Sequence, residues 1–466
     1  MKEVIPTFLD FEKSILESGI KEDGWLIWPI IRTAVFEEII NEVNKKKGLA
    51  GNTHKNRPSK SKIFSRLALL INEFASFVNF FRKADILVIS NESMVFTIDG
   101  KKTNKLIFAI KNALGNSVNM LVFNTQVSEI EELDLPVVRL SLLLSLLGRL
   151  LEYVKKTKTL KKSLEFIDKT TSNYYGVHLD QNFLILNSYF RQLAFINVVK
   201  FFLKFRTPKL IIFSDHGSMN AINKLAKDMK IKTIDYQHAI TTSFHIVYTH
   251  GKSSSEEYRS YLTKYLFAWG EYSAERQKGI YDCKVVGNSH FEKSATIYKN
   301  MRKENQILIV SDDQLTREYL EELAVFLAHQ LPEYKIKYKL RQQEYRTWKS
   351  HYPSHRLEIS NLIFIDNDTE DLYSHIAKSK YVIGTSSSVL IEAVPFSEVL
   401  ILECGWSQIM QDYVKEGLIN SSVSKEGILE LIQNQNIAKK DRGDYLFSPD
   451  SANLFRKNIM ELLNTS

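Results

Sequence analysis

Short apolar runs alternate with amphipathic segments along most of this chain. Runs at residues 84–90, 118–124 and 209–214 are rich in branched apolar side chains and end in polar residues, which is typical of strands buried in a parallel sheet. Between the first two runs, residues 105–114 repeat apolar side chains at helical spacing. Strands and helices that alternate in this way predict parallel sheets with helices on both faces.

The same pattern begins again in the second half of the chain. Residues 306–310 and 335–340 favour strands, and a strand-turn-helix-strand unit spans residues 380–403. We therefore predict an α/β protein with two Rossmann-like domains that face each other across a cleft, preceded by an N-terminal helical extension. The predicted limits are 1–83 for the helical region with a basic linker, 84–290 for the first domain, 291–447 for the second domain, and 448–466 for a C-terminal helix that crosses back to the first.

The N-terminal region is rich in aromatic side chains. Residues 1–42 are predicted to form two helices. Trp25, Trp28 and Pro29 then form either an aromatic binding surface or a set of side chains that pack the helices against the first domain. Further along, the Leu-rich residues 136–162 are predicted to form one long helix.

A basic stretch lies between this leader and the first domain. Residues 45–66 contain eight Lys and Arg residues and no acidic residue, and an apolar helix with basic flanks follows. Apolar burial and attraction to anionic headgroups add together, so residues 45–83 predict contact with an anionic membrane surface. The alternative interpretation makes this helix part of the core of the first domain.

Composition and charge limit the kinds of partner and the cellular compartment that are expected for this chain. The 466 residues carry a formal net charge of +8, which suits a partner that bears phosphates. Nucleic acid is not expected, because no recognised binding module occurs. Cys283 and Cys404 are the only cysteines, too few for a disulfide framework or a Cys-based zinc site. The N-terminus lacks a secretory pattern and no long apolar run occurs, so a cytoplasmic protein, peripheral on the inner face of the cell membrane, is expected.

The turn in the 380–403 unit is the strongest candidate for a binding site. It contains four consecutive hydroxyl side chains between a predicted strand and a predicted helix: Thr385, Ser386, Ser387 and Ser388. Hydroxyls and free backbone N–H groups at such a turn predict a phosphate site. Glu392 lies about one helical turn further on, where a carboxylate can accept hydrogen bonds from ribose hydroxyls. The alternative is that the serines cap the helix and Glu392 is a solvated surface charge.

The run DLYSHIAKSKYVIGTSSSVLIEAVPFSEVLILE resembles the nucleotide-binding region in the second domain of GT-B glycosyltransferases. It is most similar to bacterial branches of surface-polysaccharide synthesis that handle sialic acid, Kdo or CDP-glycerol. The resemblance covers about thirty residues, and the shorter segments WGE and VVGN resemble the end of a GT-B first domain. It implies that the first domain takes the acceptor and the second takes a nucleotide-linked donor.

One strand end departs from the pattern of these families. They usually place His-Pro after the second strand of the nucleotide domain, whereas this chain has Arg341 and Gln342 there. The departure weakens a direct transfer of the sialyl or CDP-glycerol assignment. Arg341 can still bind a phosphate through its planar fork of donors. The alternative is a surface ion pair with Glu344.

Polar clusters follow the predicted strands at their carboxyl ends, where ligands bind in sheets of this class. They are Asn91-Glu92, Asp215-His216, Gln237-His238, Ser311-Asp312-Asp313, Arg341-Gln342, Asp366 and the turn at Ser386. His238 is the predicted catalytic base, because an imidazole titrates near neutral pH and the segment Gln237-His238-Ala239 resembles the HG strand end of the CDP-polyol branch. Asp215 and His216 are the neighbouring candidates. The alternative is a structural histidine beneath the cleft.

Metal ligands are sparse in this sequence. There is no HExxH segment, and the adjacent pair Asp312-Asp313 is a weak magnesium signal. We expect a metal-independent enzyme without a cofactor, whose substrate is a CMP- or UDP-linked sugar and whose acceptor is a capsule or lipopolysaccharide glycan, free or lipid-linked. The sequence leaves open inversion or retention at the sugar. It also leaves open a CDP-polyol phosphotransferase, a sugar-nucleotide epimerase and a non-catalytic scaffold of a polysaccharide assembly complex.

Overall fold

The computed structural model describes eleven stretches of the chain. They are residues 4–46, 70–90, 95–98, 101–125, 135–155, 158–214, 216–250, 255–312, 316–405, 407–434 and 443–465. Several predictions fall outside them: most of the basic linker, the pair Asn91-Glu92, Asp215 and Asp313.

Seventeen strands occur in the described stretches. In chain order they are β1 (Lys21–Glu22), β2 (Trp25–Leu26), β3 (Ile86–Ser90), β4 (Val95–Ile98), β5 (Lys101–Asn104), β6 (Met120–Asn124), β7 (Val137–Arg139), β8 (Leu210–Phe213), β9 (Lys232–Tyr236), β10 (Tyr265–Ala268), β11 (Asp282–Val285), β12 (Gln306–Val310), β13 (Lys335–Lys339), β14 (Leu362–Ile365), β15 (Tyr381–Gly384), β16 (Glu398–Leu402) and β17 (Asn420–Ser422).

The helices lie mostly between these strands. They are α1 (Val4–Glu17), α2 (Ile27–Lys46), α3 (Lys105–Leu114), α4 (Ser141–Val154), α5 (Lys158–Tyr175), α6 (Arg191–Phe205), α7 (Asn220–Asp228), α8 (Glu256–Arg259), α9 (Glu271–Gln277), α10 (Ser289–Tyr298), α11 (Arg317–Gln330), α12 (Trp348–His351), α13 (Leu372–Lys378), α14 (Ser388–Ala393), α15 (Gln411–Lys415), α16 (Lys425–Asn434), α17 (Gly443–Leu446) and α18 (Ser451–Asn464). A short turn at Gln181–Phe183 and a π-helical segment at Leu184–Phe190 lead into α6.

Two parallel sheets confirm the predicted fold class of two Rossmann-like domains. The first sheet has seven strands in the order β11-β10-β9-β8-β3-β6-β7, and the second has six in the order β14-β13-β12-β15-β16-β17. Every neighbouring pair in both sheets is parallel. In the first sheet, successive strands are added on one side of β3 up to β7 and on its other side from β8 onward. In the second sheet, they are added on one side of β12 up to β14 and on its other side from β15 onward. Ligands of open parallel sheets bind at such switch points.

Local predictions failed in two places. The prediction of one helix over residues 136–162 is wrong at its start, because β7 extends the first sheet before α4 begins. Val137 and Val138 are β-branched and buried, which favours a strand once β6 offers an open edge. The antiparallel hairpin of β4 and β5 also escaped notice, since its Lys-rich second strand lacks apolar alternation.

Apolar side chains from both domains share one core. Trp269, Tyr272 and Phe291 of the first domain pack in the same cluster as side chains that follow the second sheet. The Tyr272 ring stacks on Tyr413 with 4.4 Å between ring centroids. On the outer side of the first sheet, α18 buries Phe455 and Ile459 against α3 and the strands. The two domains are therefore in direct contact beneath the cleft.

The N-terminal helices pack onto the first domain. Phe8, Phe11 and Trp28 are fully or almost fully buried there, so Trp28 serves packing rather than an aromatic binding surface. Trp25 is half-buried, with its ring 6.2 Å from that of Tyr261. Among the helices in the described stretches, none combines the length and apolar character needed to cross a bilayer.

Candidate functional site

The serine-rich turn lies at the switch point of the second sheet. Its hydrogen-bond donors are bound to the carboxylate of Asp312. Oδ2 of Asp312, at the end of β12, accepts hydrogen bonds from the Thr385 hydroxyl at 2.7 Å and the Ser386 backbone N–H at 2.8 Å. The Ser386 hydroxyl donates to the same oxygen. Three donors of the turn therefore converge on one anionic oxygen of the protein itself.

Arg341 completes this cluster from the neighbouring strand β13. Its guanidinium donates to Oδ1 of Asp312 at 2.5 Å. The expected alternative, an ion pair with Glu344, is not the observed contact, because Glu344 instead accepts from the backbone N–H of Arg341 at 2.9 Å. The Arg341 side chain is 42% exposed. A guanidinium that is held on one side and open on the other can receive a second anion.

The remaining hydroxyls of the turn begin α14. Ser387 is the N-cap residue, but its side chain makes no capping hydrogen bond. Ser387 and Ser388 are half-buried. The expected alternative, in which the serines serve to cap the helix, therefore does not describe Ser387.

Glu392 is a buried group at the contact between the domains. It is 3% exposed, so the alternative of a solvated surface charge is wrong. Its carboxylate accepts a hydrogen bond from the Tyr373 hydroxyl, and it lies 3.7 Å from Nζ of Lys105, the first residue of α3 in the first domain. Burial and the nearby Glu392 carboxylate raise the pKa of Tyr373 well above its usual value. Tyr373 therefore remains a hydrogen-bond donor to Glu392 at neutral pH.

His290 is a site residue that the sequence interpretation missed. It lies in the first turn of α10, and its ring meets Tyr373 edge-on at 5.5 Å. Burial, with the positive charges of Lys105 and Lys293, lowers its pKa well below the ordinary value. The imidazole is thus neutral at pH 7. The available signal was the polar segment after β11, Asn288-Ser289-His290, which follows the VVGN resemblance.

His238 lies at the carboxyl end of β9 in a loop that reaches the second domain. The ring is half-buried, and Nδ1 is 3.2 Å from the Tyr248 hydroxyl. Further along the loop, the backbone N–H and hydroxyl of Ser243 both donate to Asp412 of the second domain at 2.8 Å. His238 is therefore placed on a loop that faces the cleft.

A buried ion pair from the N-terminal helices holds this loop. Nε of Arg32 lies 2.5 Å from Glu12, and both side chains are 2% exposed. The Arg32 guanidinium also donates to the backbone carbonyls of Ile246 at 2.6 Å and Thr249 at 2.7 Å. Glu12 and Arg32 were not predicted, although a single charged residue within an apolar helical face is a sequence signal for a buried ion pair.

A cavity of about 430 Å³ opens between the His238 loop and the end of β16. Phe244 of the loop, Glu403, Gln408 and Lys415 contribute to its lining. Gln408 is 8% exposed, and its side-chain N–H₂ has no partner among the described residues. An aromatic ring beside amide and carboxylate groups suits a polar, hydroxylated ligand.

The predicted site residues thus fall into three groups. Arg341, Thr385 and Ser386 meet on Asp312, Glu392 lies with Lys105 of the first domain, and His238 lies on the loop of the first domain. His216 begins a short 3-10 turn at His216–Ser218, and its side chain lies outside the described parts. Asp215 lies outside them too. Within the described residues, no group of three or more His, Cys, Asp and Glu side chains is arranged to hold a metal ion.

Comparisons with known proteins give structural similarity only. No protein-family model matches the chain, and no curated protein sequence matches it significantly. The UDP-GlcNAc 2-epimerase from Neisseria meningitidis, bound to UDP-GlcNAc, is 15% identical, with a TM-score of 0.46 over 81% of this chain and 98% of that chain. Sucrose-phosphate synthase from Thermosynechococcus elongatus is 11% identical, with a TM-score of 0.47 over 82% and 99%. Similarity at this level assigns neither an activity nor a site residue to this chain.

Proposed function

We propose that this protein is a glycosyltransferase that moves a sugar from a nucleotide-activated donor, CMP- or UDP-linked, to a bacterial capsule or lipopolysaccharide glycan. The observation that carries the proposal is the cluster of hydrogen-bond donors in the turn at the switch point of the second sheet. Three donors from Thr385 and Ser386 converge on one carboxylate oxygen, beside the guanidinium of Arg341. Phosphate oxygens of a nucleotide offer the same charge and the same acceptors as that carboxylate.

In this proposal, the carboxylate of Asp312 accepts the hydrogen bonds that the donor phosphate accepts when the nucleotide binds. The phosphate binds the exposed side of Arg341 and competes with Asp312 for the hydroxyls of the turn, with Ser387 and Ser388 as further donors. The positive guanidinium then stabilises the charge that develops on the leaving phosphate, which is a transition-state role that does not require a metal. Glu392 accepts hydrogen bonds from the ribose once the nucleotide replaces Lys105 as its partner.

The acceptor approaches from the first domain. A hydroxyl nucleophile needs a proton acceptor within hydrogen-bond reach. We assign this role to His238, whose ring is accessible at the end of β9. Asp215 follows the adjacent strand β8, so it is the residue that orients the imidazole or acts as the base in its place. His216 is the third candidate at the same strand end.

Replacing Ser386 or Ser387 by alanine should weaken nucleotide binding about ten- to a hundredfold. One hydrogen bond to a charged phosphate contributes roughly 1.5–3 kcal/mol. Titration calorimetry with UDP and CMP measures the effect. Ser350→Ala is the matched control, because Ser350 is an exposed serine elsewhere in the second domain. Unchanged affinity in both cleft variants would remove the turn from the binding site.

Exposed aromatic side chains support an association with an anionic membrane. Phe74, Val78 and Phe81, in the helical residues 70–81, are 67%, 73% and 59% exposed, whereas Phe80 is buried in the first domain. Phe201 and Phe205 of α6, each 51% exposed, adjoin them, since the Phe201 ring lies 5.8 Å from that of Phe80. The exposed basic residues that flank this aromatic face are Arg82, Lys83, Lys204 and Arg206. One side of this helix thus packs in the core, as the alternative interpretation expects, and we propose that the exposed side contacts headgroups.

Phe74→Ser combined with Phe81→Ser should reduce binding to vesicles that contain anionic phospholipid by at least about tenfold. Full burial of one such side chain contributes about 1.5–3 kcal/mol. Vesicle sedimentation at low and high salt measures the binding. High salt should weaken vesicle binding by the wild-type protein as well. The control, Leu357→Ser with Val423→Ser, removes two exposed apolar side chains from the second domain. Indifference of the wild-type protein to anionic lipid would contradict the proposal.

The reaction class is tested by a donor panel with and without acceptor glycans. A glycosyltransferase releases nucleotide and extends the acceptor. A CDP-polyol phosphotransferase responds to CDP-polyols instead, and an epimerase converts its donor without an acceptor. A non-catalytic scaffold shows no thermal stabilisation by any nucleotide. Sugar transfer that depends on both donor and acceptor supports the proposal, and each of the other results contradicts it.

A further inference from the structure

A second and larger cavity opens at the opposite edge of the first sheet. Its volume is about 1000 Å³, and it lies at the amino ends of β9, β10 and β11. Six cationic side chains line it: Lys227, Lys230, Lys232, Arg259, Lys264 and Lys278. Asp282 is the one carboxylate in the lining. The cleft described above lies at the carboxyl ends of the same strands, so the two are separate.

Only part of the positive charge of this basic cavity is compensated, by the backbone carbonyls of Leu462 and Thr465, to which Nζ of Lys232 donates. In the described part of the chain, Lys227, Lys230 and Lys278 form no ion pair. The pKa of Lys232 is lowered by burial and by the neighbouring charges of Lys264 and Lys209. Several ammonium groups close together form a region of positive potential that favours an anionic guest.

The basic cavity also contains two threonine hydroxyls. Thr233 and Thr263 are buried, and the Thr263 hydroxyl donates to that of Thr233 at 3.3 Å, which leaves the Thr233 hydroxyl as a donor. Apolar contact comes from Leu262 and Ile280. The volume is far larger than an inorganic ion needs and lies within the range of small-molecule sites. Lysines combined with hydroxyls suit phosphate groups, because each ammonium is a compact point charge with three donors.

We propose that the basic cavity binds a small ligand with two or more phosphate groups. This inference goes beyond the proposed function and does not rest on it. The loop that begins at His238 in the cleft ends at His250, which lines the basic cavity. His250 lies between two tyrosine hydroxyls, at 3.0 Å from Tyr258 and 2.9 Å from Tyr281. A ligand here therefore contacts the same loop that carries the predicted base.

The phosphates have two potential sources, a free polyphosphorylated metabolite or a lipid headgroup. The aromatic face favours the second source, because residues 70–81 and α6 lead into β3 and β8 at the same edge of the sheet as the basic cavity. Vesicles that contain cardiolipin, whose headgroup carries two phosphates, distinguish the two. Displacement of a bound soluble polyphosphate by the vesicles indicates a headgroup, and retention indicates a free ligand. Both results support a phosphate site.

Titration calorimetry with tripolyphosphate is the test. The wild-type protein should bind it saturably, and Lys230→Gln with Lys264→Gln should weaken binding at least about tenfold. These two positions lie outside the helices, whereas Lys227 lies in the last turn of α7 and Lys278 is the C-cap residue of α9, where a positive charge also complements the helix end. Lys161→Gln with Lys162→Gln is the matched control on exposed residues of α5. In Ser386→Ala the basic cavity should keep its affinity for tripolyphosphate, and any further site that this change weakens is that of the cleft.

Two results would overturn the proposal. One is the absence of saturable binding to the wild-type protein, and the other is equal binding by the cavity variant and the Lys161/Lys162 control. Circular dichroism and thermal unfolding of each variant establish that a loss of binding is not a loss of fold.

Discussion

Replacing His238 by alanine is expected to lower turnover by about 10²–10⁴-fold and to leave nucleotide binding within a few-fold of the wild-type value. The reason is that the base acts on the acceptor hydroxyl, whereas the nucleotide is proposed to bind the other domain. Asp215→Ala should lower turnover as well, through the orientation of the imidazole or as the base itself. Steady-state kinetics and calorimetry on the same preparations separate the two effects.

The controls for this prediction come from the same chain. His329→Ala removes an exposed histidine of α11 and should change neither quantity. Tyr248→Phe removes the hydroxyl that lies 3.2 Å from Nδ1 of His238, so it should lower turnover more than it changes donor affinity. Turnover within a few-fold of the wild-type protein in both His238→Ala and Asp215→Ala, with binding intact, would show that neither residue is the base.

Arg32→Met should lower the free energy of unfolding by about 3–5 kcal/mol, because it leaves the buried carboxylate of Glu12 without its counter-charge. Trp28 continues to donate to Glu12 at 2.8 Å, which does not replace a positive charge. The variant also frees the carbonyls of Ile246 and Thr249, so turnover should fall more than the loss of folded protein explains. Urea denaturation followed by circular dichroism measures the stability.

A double variant isolates the ion pair. Glu12→Gln with Arg32→Met removes both charges, and it should be more stable than Arg32→Met alone, since no unpaired buried charge remains. Lys13→Ala is the control, because it breaks an exposed ion pair on α1, in which Nζ of Lys13 lies 3.9 Å from Glu17. Exposed pairs of this kind contribute little to stability. A loss below about 1 kcal/mol in Arg32→Met would mean that the pair does not hold the N-terminal helices in place.

The sequence predicts the fold well because periodicity is a local property. The strands around the serine turn are fully buried on both faces, so they appear as continuous apolar runs such as Tyr381–Gly384. Where an element depends on a neighbour, the prediction failed. β7 is a strand because β6 presents an open edge, and nothing within residues 136–140 alone distinguishes it from the start of α4.

The candidate site is predicted only in part, for the same reason. Residue types and strand ends indicated Arg341 and the serine turn, but their meeting on Asp312 depends on the order of β13, β12 and β15 in the sheet. The contact of Lys105 with Glu392 joins residues almost three hundred positions apart and requires the two domains to be docked. His290 was not predicted, because its lowered pKa results from burial and from the charges of nearby lysines, among them Lys105 in another part of the fold. Hydrophobic pattern carries no information about such pairings.

The most direct test is a crystal structure of the protein with a UDP- or CMP-linked sugar bound. We predict that the donor phosphates lie within hydrogen-bond distance of the Arg341 guanidinium and of the turn that contains Ser386, with the ribose near Glu392. Asp312 should then have lost at least one of its contacts with the turn. A nucleotide bound elsewhere, with the contacts of Asp312 to Thr385, Ser386 and Arg341 unchanged, would contradict the proposed site.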